Sequence, residues 1–217
     1  KKINKKEIKS RTDLRNTFTF TIDPEDAKDF DDAISFNELE KGIYEIGIHI
    51  ADVTHYVKKD SVLDKEAYNR ATSIYLVDRV IPMLPEILSN MVCSLRPKEE
   101  KYTFSSIFKI NEKGEILEEW FGKTVINSNK RFTYAEAQEI IQTGKGKIKK
   151  EISLTKKAYE VDKKIVKAII KLNEIAIIKR KEREEKGSIN FNKKEIKFKL
   201  DSSQNPIEVI FKENKEA

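Results

Sequence analysis

The chain has 217 residues, 37% of them charged and 38% hydrophobic, with 43 Lys and Arg against 37 Asp and Glu for a net charge of +6. That length can bury one substantial core. The one cysteine, Cys93, excludes an internal disulfide and a cysteine-based zinc site, and no apolar run approaches the roughly 18–20 residues of a membrane-spanning helix.

In chain order, residues 1–11 hold six Lys/Arg and one Glu and read as a solvated basic lead-in or linker ending near residue 12. Two strand-like stretches follow, Phe18–Ile22 and Ala33–Phe36, with a loop dense in acids between them. Tyr44, Ile46, Ile48 and Ile50 alternate with Glu45, Gly47 and His49, predicting another strand. His49 is expected to fill the opposite face of that strand rather than bind metal, and Asp52 just beyond it is a reasonable supporting acid. Ser61 caps a short helix over 63–71, and 73–77 is extended. Pro85 is placed to start a short helix, and Cys93 sits in an apolar run as a core thiol. Residues 102–110 and 115–126 form a hairpin across Asn111–Gly114. Thr133 caps a helix to Gln142, with Glu136 completing a capping box. Residues 143–147 are a loop. The longest helix is predicted over 153–186, on an apolar seam of Leu154, Ala158, Val161, Ile165, Ala168, Leu172 and Ile175. A coiled-coil dimer is the competing reading of that seam; packing on the chain's own sheet, in a monomeric protein, is the expectation. Gly187 stops the helix, and 188–200 with 206–212 form a last strand pair.

Charge is segregated along the chain. Residues 23–52 carry ten acids and two Lys, whereas residues 145–199 carry nineteen Lys/Arg and eight acids. A basic surface beside a compact acidic site suits a polyanion held in one place and cut in another. Asp23, Asp29, Asp31 and Asp32 fall within ten residues, with Glu25 and Asp26 among them. Carboxylates packed so closely raise each other's pKa, and a divalent cation offsets this most directly. Oxygen donors suit Mg²⁺, with Mn²⁺ as an alternative. An EF-hand loop fits badly, because counting from Asp23 the sixth position is Lys28 rather than Gly and the twelfth is Ile34 rather than Glu. The four aspartates are expected to converge on one or two hydrated ions of a phosphodiester-cleaving site.

Arg11-Thr12-Asp13-Leu14-Arg15, Thr21-Ile22-Asp23 and Glu25-Asp26-Ala27-Lys28-Asp29-Phe30-Asp31-Asp32-Ala33 together resemble the signature of the ribonuclease II/R (RNB) exoribonucleases. So do Ile48-His49-Ile50-Ala51-Asp52-Val53, the stretch from Leu63 to Tyr75, and Ile81 to Asn90, with the ribonuclease R branch the closer likeness. The resemblance implies an α+β domain, a mixed and mostly antiparallel sheet with flanking helices, over residues 13–217. It implies a Mg²⁺-dependent hydrolytic 3′→5′ exoribonuclease, cytoplasmic and without membrane contact, that releases nucleoside 5′-monophosphates from single-stranded RNA. By match to the motif, Asp23, Asp29, Asp31 and Asp32 are its catalytic and metal-binding acids. Tyr75, Tyr134 and Phe191 resemble the aromatics along the RNA path. The family's cold-shock and S1 modules, and the later part of its catalytic domain, are not in these 217 residues, so the chain is expected to be the first part of the catalytic domain and inactive alone. The competing reading is a non-catalytic RNA-binding or scaffold module that keeps the fold.

Overall fold

The computed structural model describes residues 3–189, 195–203 and 205–212. A short helix α1 (Lys5–Lys9) leads into strands β1 (Thr12–Leu14), β2 (Thr19–Asp23), β3 (Asp32–Glu40) and β4 (Ile43–Ala51). Next come α2 (Val53–Tyr56), α3 (Val62–Arg70), the small strands β5 (Ile74–Tyr75) and β6 (Val80–Ile81), and a π-helical segment at Ile87–Val92. A long hairpin, β7 (Glu100–Asn111) with β8 (Ile116–Asn127), precedes β9 (Lys130–Thr133) and α4 (Tyr134–Thr143). The chain continues through β10 (Lys147–Ile148), β11 (Tyr159–Glu160), α5 (Lys163–Glu185), β12 (Glu195–Leu200) and β13 (Pro206–Lys212).

One seven-stranded sheet organises these elements, in the order β1-β8-β7-β4-β3-β2-β9. Only its two edges are parallel, β1 on β8 and β9 on β2, so the sheet is mixed and mostly antiparallel. Direct cross-strand partners share a face, which assigns the two sides. On one side Phe20, Ile34, Phe36, Tyr44 and Ile46 meet helices α4 and α5. There Phe132, Ile140, Val166 and Ile169 gather around Phe20, and Ala168 and Ile175 gather around Phe36 and Tyr44. On the other side Ala33 and Ala51 pack with Phe30, Cys93, Leu95 and Ile126.

This second side also carries a polar chain inside the protein. His49 is fully buried and joins Ser35 through Nε2 at 2.9 Å and Ser105 through Nδ1 at 2.7 Å. Ser105 reaches Thr124, and Thr124 reaches Thr103. The chain thus crosses β3, β4, β7 and β8 and fixes their register. Gly47 belongs to the same arrangement: a Cβ there would lie 2.7 Å from His49 Nε2 and collide with Ser35. Desolvation lowers the His49 pKa to about 4, so it is neutral at physiological pH. Burial likewise pushes the Cys93 thiol up to about 11, which makes it a core residue and not a nucleophile.

The local signals hold at the caps. Ser61 Oγ accepts the Asp64 N–H at the start of α3, and Thr133 and Glu136 form the reciprocal box at the start of α4. Gly187 takes φ of +88° just past α5. Three expectations are corrected. The helix predicted over 153–186 begins at Lys163, ten residues late. Before it, Tyr159 pairs with Ile148, the Val161 N–H bonds Gly146, and the Tyr159 hydroxyl donates to buried Glu136. These tertiary contacts outweigh the seam of Leu154 and Ala158, and Asp162 becomes the cap. Second, the lead-in docks rather than trails in solvent. Arg11 is buried and bonds Asp52 at 2.6 Å, and the Asn4 N–H reaches the Tyr102 hydroxyl. Third, the segment after Pro85 winds as a π-helix, and Lys101 Nζ caps its end by donating to the Met91 carbonyl. The last strand pair forms, but residues 190–194 of its predicted span lie outside the described residues.

Candidate functional site

The acid loop joins β2 to β3 at one end of the sheet. Asp23 is the last residue of β2 and Asp32 the first of β3, with Asp29 and Asp31 between them. Asp23 is 7% exposed, Asp29 is half-buried, and Asp31 and Asp32 reach solvent. Strand alternation places Asp23 on the face of Ser35 and Asp32 on the face of Ile34. Both occupy terminal positions, however, and their charges still act on each other around the end of the sheet. Asp31 feels Asp29 and Asp32. The structure therefore brings all four aspartates into one electrostatic neighbourhood. It does not yet draw them into a tight cage: among the described residues no three carboxylate, imidazole or thiol groups stand close enough to hold one ion. Strand alternation contributes to that spacing by setting Asp23 and Asp32 on opposite faces.

The electrostatics of the acids follow from this placement. Burial pushes the pKa of Asp23 up; the Thr21 hydroxyl and the Arg131 guanidinium oppose the rise, and Asp32 and Asp29 add to it. Asp31 is raised by removal from water and then by Asp29 and Asp32. Desolvation also raises Asp32, against a partial offset from its own backbone N–H. The Thr21 hydroxyl lies near enough to Asp23 to favour its carboxylate, but among the described residues neither Thr21 Oγ1 nor Asp23 Oδ2, both buried, makes a well-formed hydrogen bond. A buried carboxylate oxygen without a partner is costly. Carboxylate oxygens suit a hard divalent cation such as Mg²⁺, and holding one would require Asp29, Asp31 and Asp32 to draw closer to Asp23.

The loop's backbone is held at several points by residues distant in sequence. Ser94 Oγ accepts the Phe30 N–H at 3.0 Å and donates to the Lys28 carbonyl at 3.1 Å. The Leu95 N–H bonds the Phe30 carbonyl, and the Ala51 N–H bonds the Asp31 carbonyl at 2.9 Å. Arg131 Nη2 donates to the Pro24 and Glu25 carbonyls at 2.6 and 3.0 Å, and its guanidinium lies 4.6 Å from the centre of the Phe30 ring. Glu25 itself makes an exposed ion pair with Lys156.

Asp52 supports the site from behind without facing it. It is buried, accepts from Arg11, the Thr54 hydroxyl and the His55 N–H, and ends the strand whose Ala51 holds Asp31. Burial opposes its ionisation, but the Thr54 and Arg11 hydrogen bonds prevail and its pKa is lowered. Of the predicted aromatics, Tyr134 starts α4 directly after Thr133, the residue registered opposite Asp23, so it begins at the acid end of the sheet. Tyr75 is 71% exposed on the β5–β6 hairpin, available to a ligand. Phe191 lies outside the described residues. Arg131, Ser94 and Arg11 were not legible as site residues from sequence; the signal that marks Arg131 is a cation two residues before the Thr133 cap in a strand that must pair somewhere.

Comparison with known proteins decides the family. The RNB domain matches residues 11–217. The chain belongs to the RNB family of exoribonucleases. Among similar RNB proteins, DIS3-like exonuclease 2 of Schizosaccharomyces pombe is 48% identical over 203 residues, which cover 92% of this chain and 21% of the relative. Ribonuclease R 2 of Lactococcus lactis is 40% identical over 209 residues, covering 96% and 30%. The solved structure of Mycoplasma genitalium RNase R with ribose-methylated single-stranded RNA superposes with a TM-score of 0.85 at 27% identity, covering 100% of this chain and 32% of that one. The chain thus spans between about a fifth and a third of these relatives. The acid loop, Tyr134 and the clamping Arg131 all lie inside the RNB match.

Proposed function

We propose that this RNB domain carries the metal-binding part of a hydrolytic exoribonuclease site that shortens single-stranded RNA from its 3′ end and releases nucleoside 5′-monophosphates. The observation that carries the reading is the end-of-sheet aspartate cluster with an unpartnered, buried Asp23 oxygen. Its support is the family, whose members named above are an exonuclease and ribonucleases, and a fold neighbour that holds single-stranded RNA.

Asp23, Asp29, Asp31 and Asp32 would hold Mg²⁺, or Mn²⁺ in its place. When bound, such ions make a water nucleophilic at neutral pH and stabilise the leaving oxygen of an in-line displacement. The chain's own part is positional. The tethers from Ser94, Leu95, Ala51 and Arg131 hold the loop backbone in place, which limits the movement the carboxylates would need to close on the ions. Tyr134 and Tyr75 offer rings for stacking, which tolerates any base and contributes about 1–3 kcal/mol per base; Phe191 has the same proposed role. Along α5, Lys163, Lys167 and Lys171 recur every fourth residue and, with Lys145 and Lys147, line a cavity of about 710 Å³. Glu160 and Glu174 also line it, and Lys167 and Lys171 pair with Glu38 and Glu174, but its five lysines against two glutamates leave an excess of positive charge suited to a phosphodiester backbone.

The test incubates the whole protein with a 5′-labelled single-stranded RNA, with Mg²⁺ or with chelator. A ladder shortening from the 3′ end, with mononucleotide products and only when Mg²⁺ is present, is expected. RNA that is bound but never shortened would show a non-catalytic module on an RNB fold.

A further inference from the structure

We propose that Arg131 is the positioning residue of the acid loop: a fixed internal cation that holds the Pro24–Phe30 backbone so that Asp23 presents an open oxygen to the metal. The inference rests on the metal-site reading above for its functional consequence, but its structural basis is independent.

Strand β9 pairs with β2 in parallel, placing Arg131 opposite Thr21 and Thr133 opposite Asp23. The arginine therefore shares a sheet face with Thr21 and Asp23. From there its Nη2 reaches past the end of β2 and donates to both carbonyls that follow Asp23, those of Pro24 and Glu25. The guanidinium carbon also lies 4.6 Å over the centre of the ring of Phe30, the residue before Asp31. One side chain thus ties both ends of the loop to the sheet. Lysine can supply the charge, but as a strongly hydrated point charge it lacks the delocalised guanidinium that lies over Phe30 while one of its nitrogens bonds the carbonyls.

The polar atoms left over give the arrangement its direction. Arg131 Nε, Thr21 Oγ1 and Asp23 Oδ2 are all buried, and among the described residues none makes a well-formed hydrogen bond, although the Thr21 hydroxyl lies near enough to Asp23 to favour its carboxylate. Arg131 is close enough to favour the Asp23 carboxylate by its charge, yet the two are not hydrogen-bonded. A guanidinium bonded directly to Asp23 would occupy the oxygen a metal needs. Instead Arg131 Nη2 is directed to backbone carbonyls, and Asp23 Oδ2 stays open. This is the arrangement expected of a group that orients a ligand rather than competes for it.

Two readouts on the whole protein test this with Arg131→Lys and Arg131→Met. The first needs no metal: amide exchange at Ala27, whose N–H bonds the Pro24 carbonyl, and at Phe30, whose N–H bonds Ser94. Both variants are expected to exchange there at least tenfold faster than wild type, while exchange in β4 and β7 is unchanged. The second is Mg²⁺ affinity by titration calorimetry. Both variants are expected to bind at least tenfold more weakly, within the roughly 10–100-fold range seen when partners that orient ligands are removed. Unchanged loop exchange in both variants overturns the clamp whatever the metal does. Arg131→Lys matching wild type in both readouts would show that charge alone suffices, and tighter Mg²⁺ binding by Arg131→Met would show that the arginine merely repels the ion; either overturns the proposal. Faster loop exchange in both variants, with a wild-type protein that binds no Mg²⁺, upholds the clamp and rejects the metal site it was thought to serve.

Discussion

Acid should destabilise this protein through one buried imidazole. His49 has no exposure to solvent and bonds two hydroxyls, Ser35 and Ser105, either of which can donate or accept. The neutral ring satisfies both, and its folded pKa is about 4 against an ordinary 6.5. Because the folded pKa is depressed, the unfolded chain takes up a proton that the folded chain refuses. Stability is therefore full above pH 6.5, falls as pH drops through the window between 6.5 and 4, and loses nothing more from this group below 4. At about 1.4 kcal/mol per pH unit once the unfolded imidazole is protonated, the loss at pH 5 is about 2 kcal/mol. His49→Gln keeps a neutral polar group of similar size and cannot titrate there. Urea unfolding of both proteins at pH 7.5 and pH 5 isolates the effect, because the carboxylates contribute equally to each. The wild type should lose about 2 kcal/mol more than the variant between the two pH values. Equal losses would mean that His49 is charged in the folded state or open to water, and that the hydroxyl chain across the sheet is misread.

Other outcomes follow from the same packing. Asp52→Asn leaves Arg11, whose side chain is fully buried, with the part-exposed Glu7 as its one remaining ionic partner among the described residues; the cost should be near the lower end of the ~3–5 kcal/mol for breaking a buried pair, read as a lower urea midpoint at unchanged slope. Since the Asp52 pKa is lowered in the fold, that contribution is present above the ordinary carboxylate value of 3.8 and is lost as pH falls through the folded value. Thr133→Ala removes the hydroxyl that caps α4 beside Asp23 and should cost ~1 kcal/mol. In fluorescence anisotropy with single-stranded RNA, affinity should fall steeply with salt, and Lys163→Ala should reduce the slope of log affinity against log salt by ~0.7; identical slopes would remove that lysine from the RNA path.

Much of the fold was legible because local signals and the final contacts agree. The alternation in Tyr44–Ile50, the Thr133–Glu136 box and the Asn111–Gly114 turn each specify an element that tertiary packing then uses. The start of α5 was not legible, since Leu154 and Ala158 continue the helical spacing while Tyr159 and Val161 are claimed by partners in β10 and Gly146. In the site, the cluster of aspartates was plain from sequence. Its geometry was not, because Asp23 and Asp32 belong to different faces and meet only where two strands end. Arg131 was hidden for another reason: its contact with Pro24 spans 107 residues and depends on a parallel strand pairing that no short-range pattern encodes.

The central claim, that the aspartate cluster performs the chemistry through bound metal, is tested most directly by Asp31→Asn in the whole protein. The substitution is nearly isosteric and removes one negative charge from the proposed metal site while leaving the backbone tether from Ala51 to residue 31 intact. Single-turnover decay of a 5′-labelled RNA, measured beside the RNA dissociation constant, separates chemistry from binding. The account predicts a rate lower by orders of magnitude with RNA affinity retained. A rate close to wild type would contradict it.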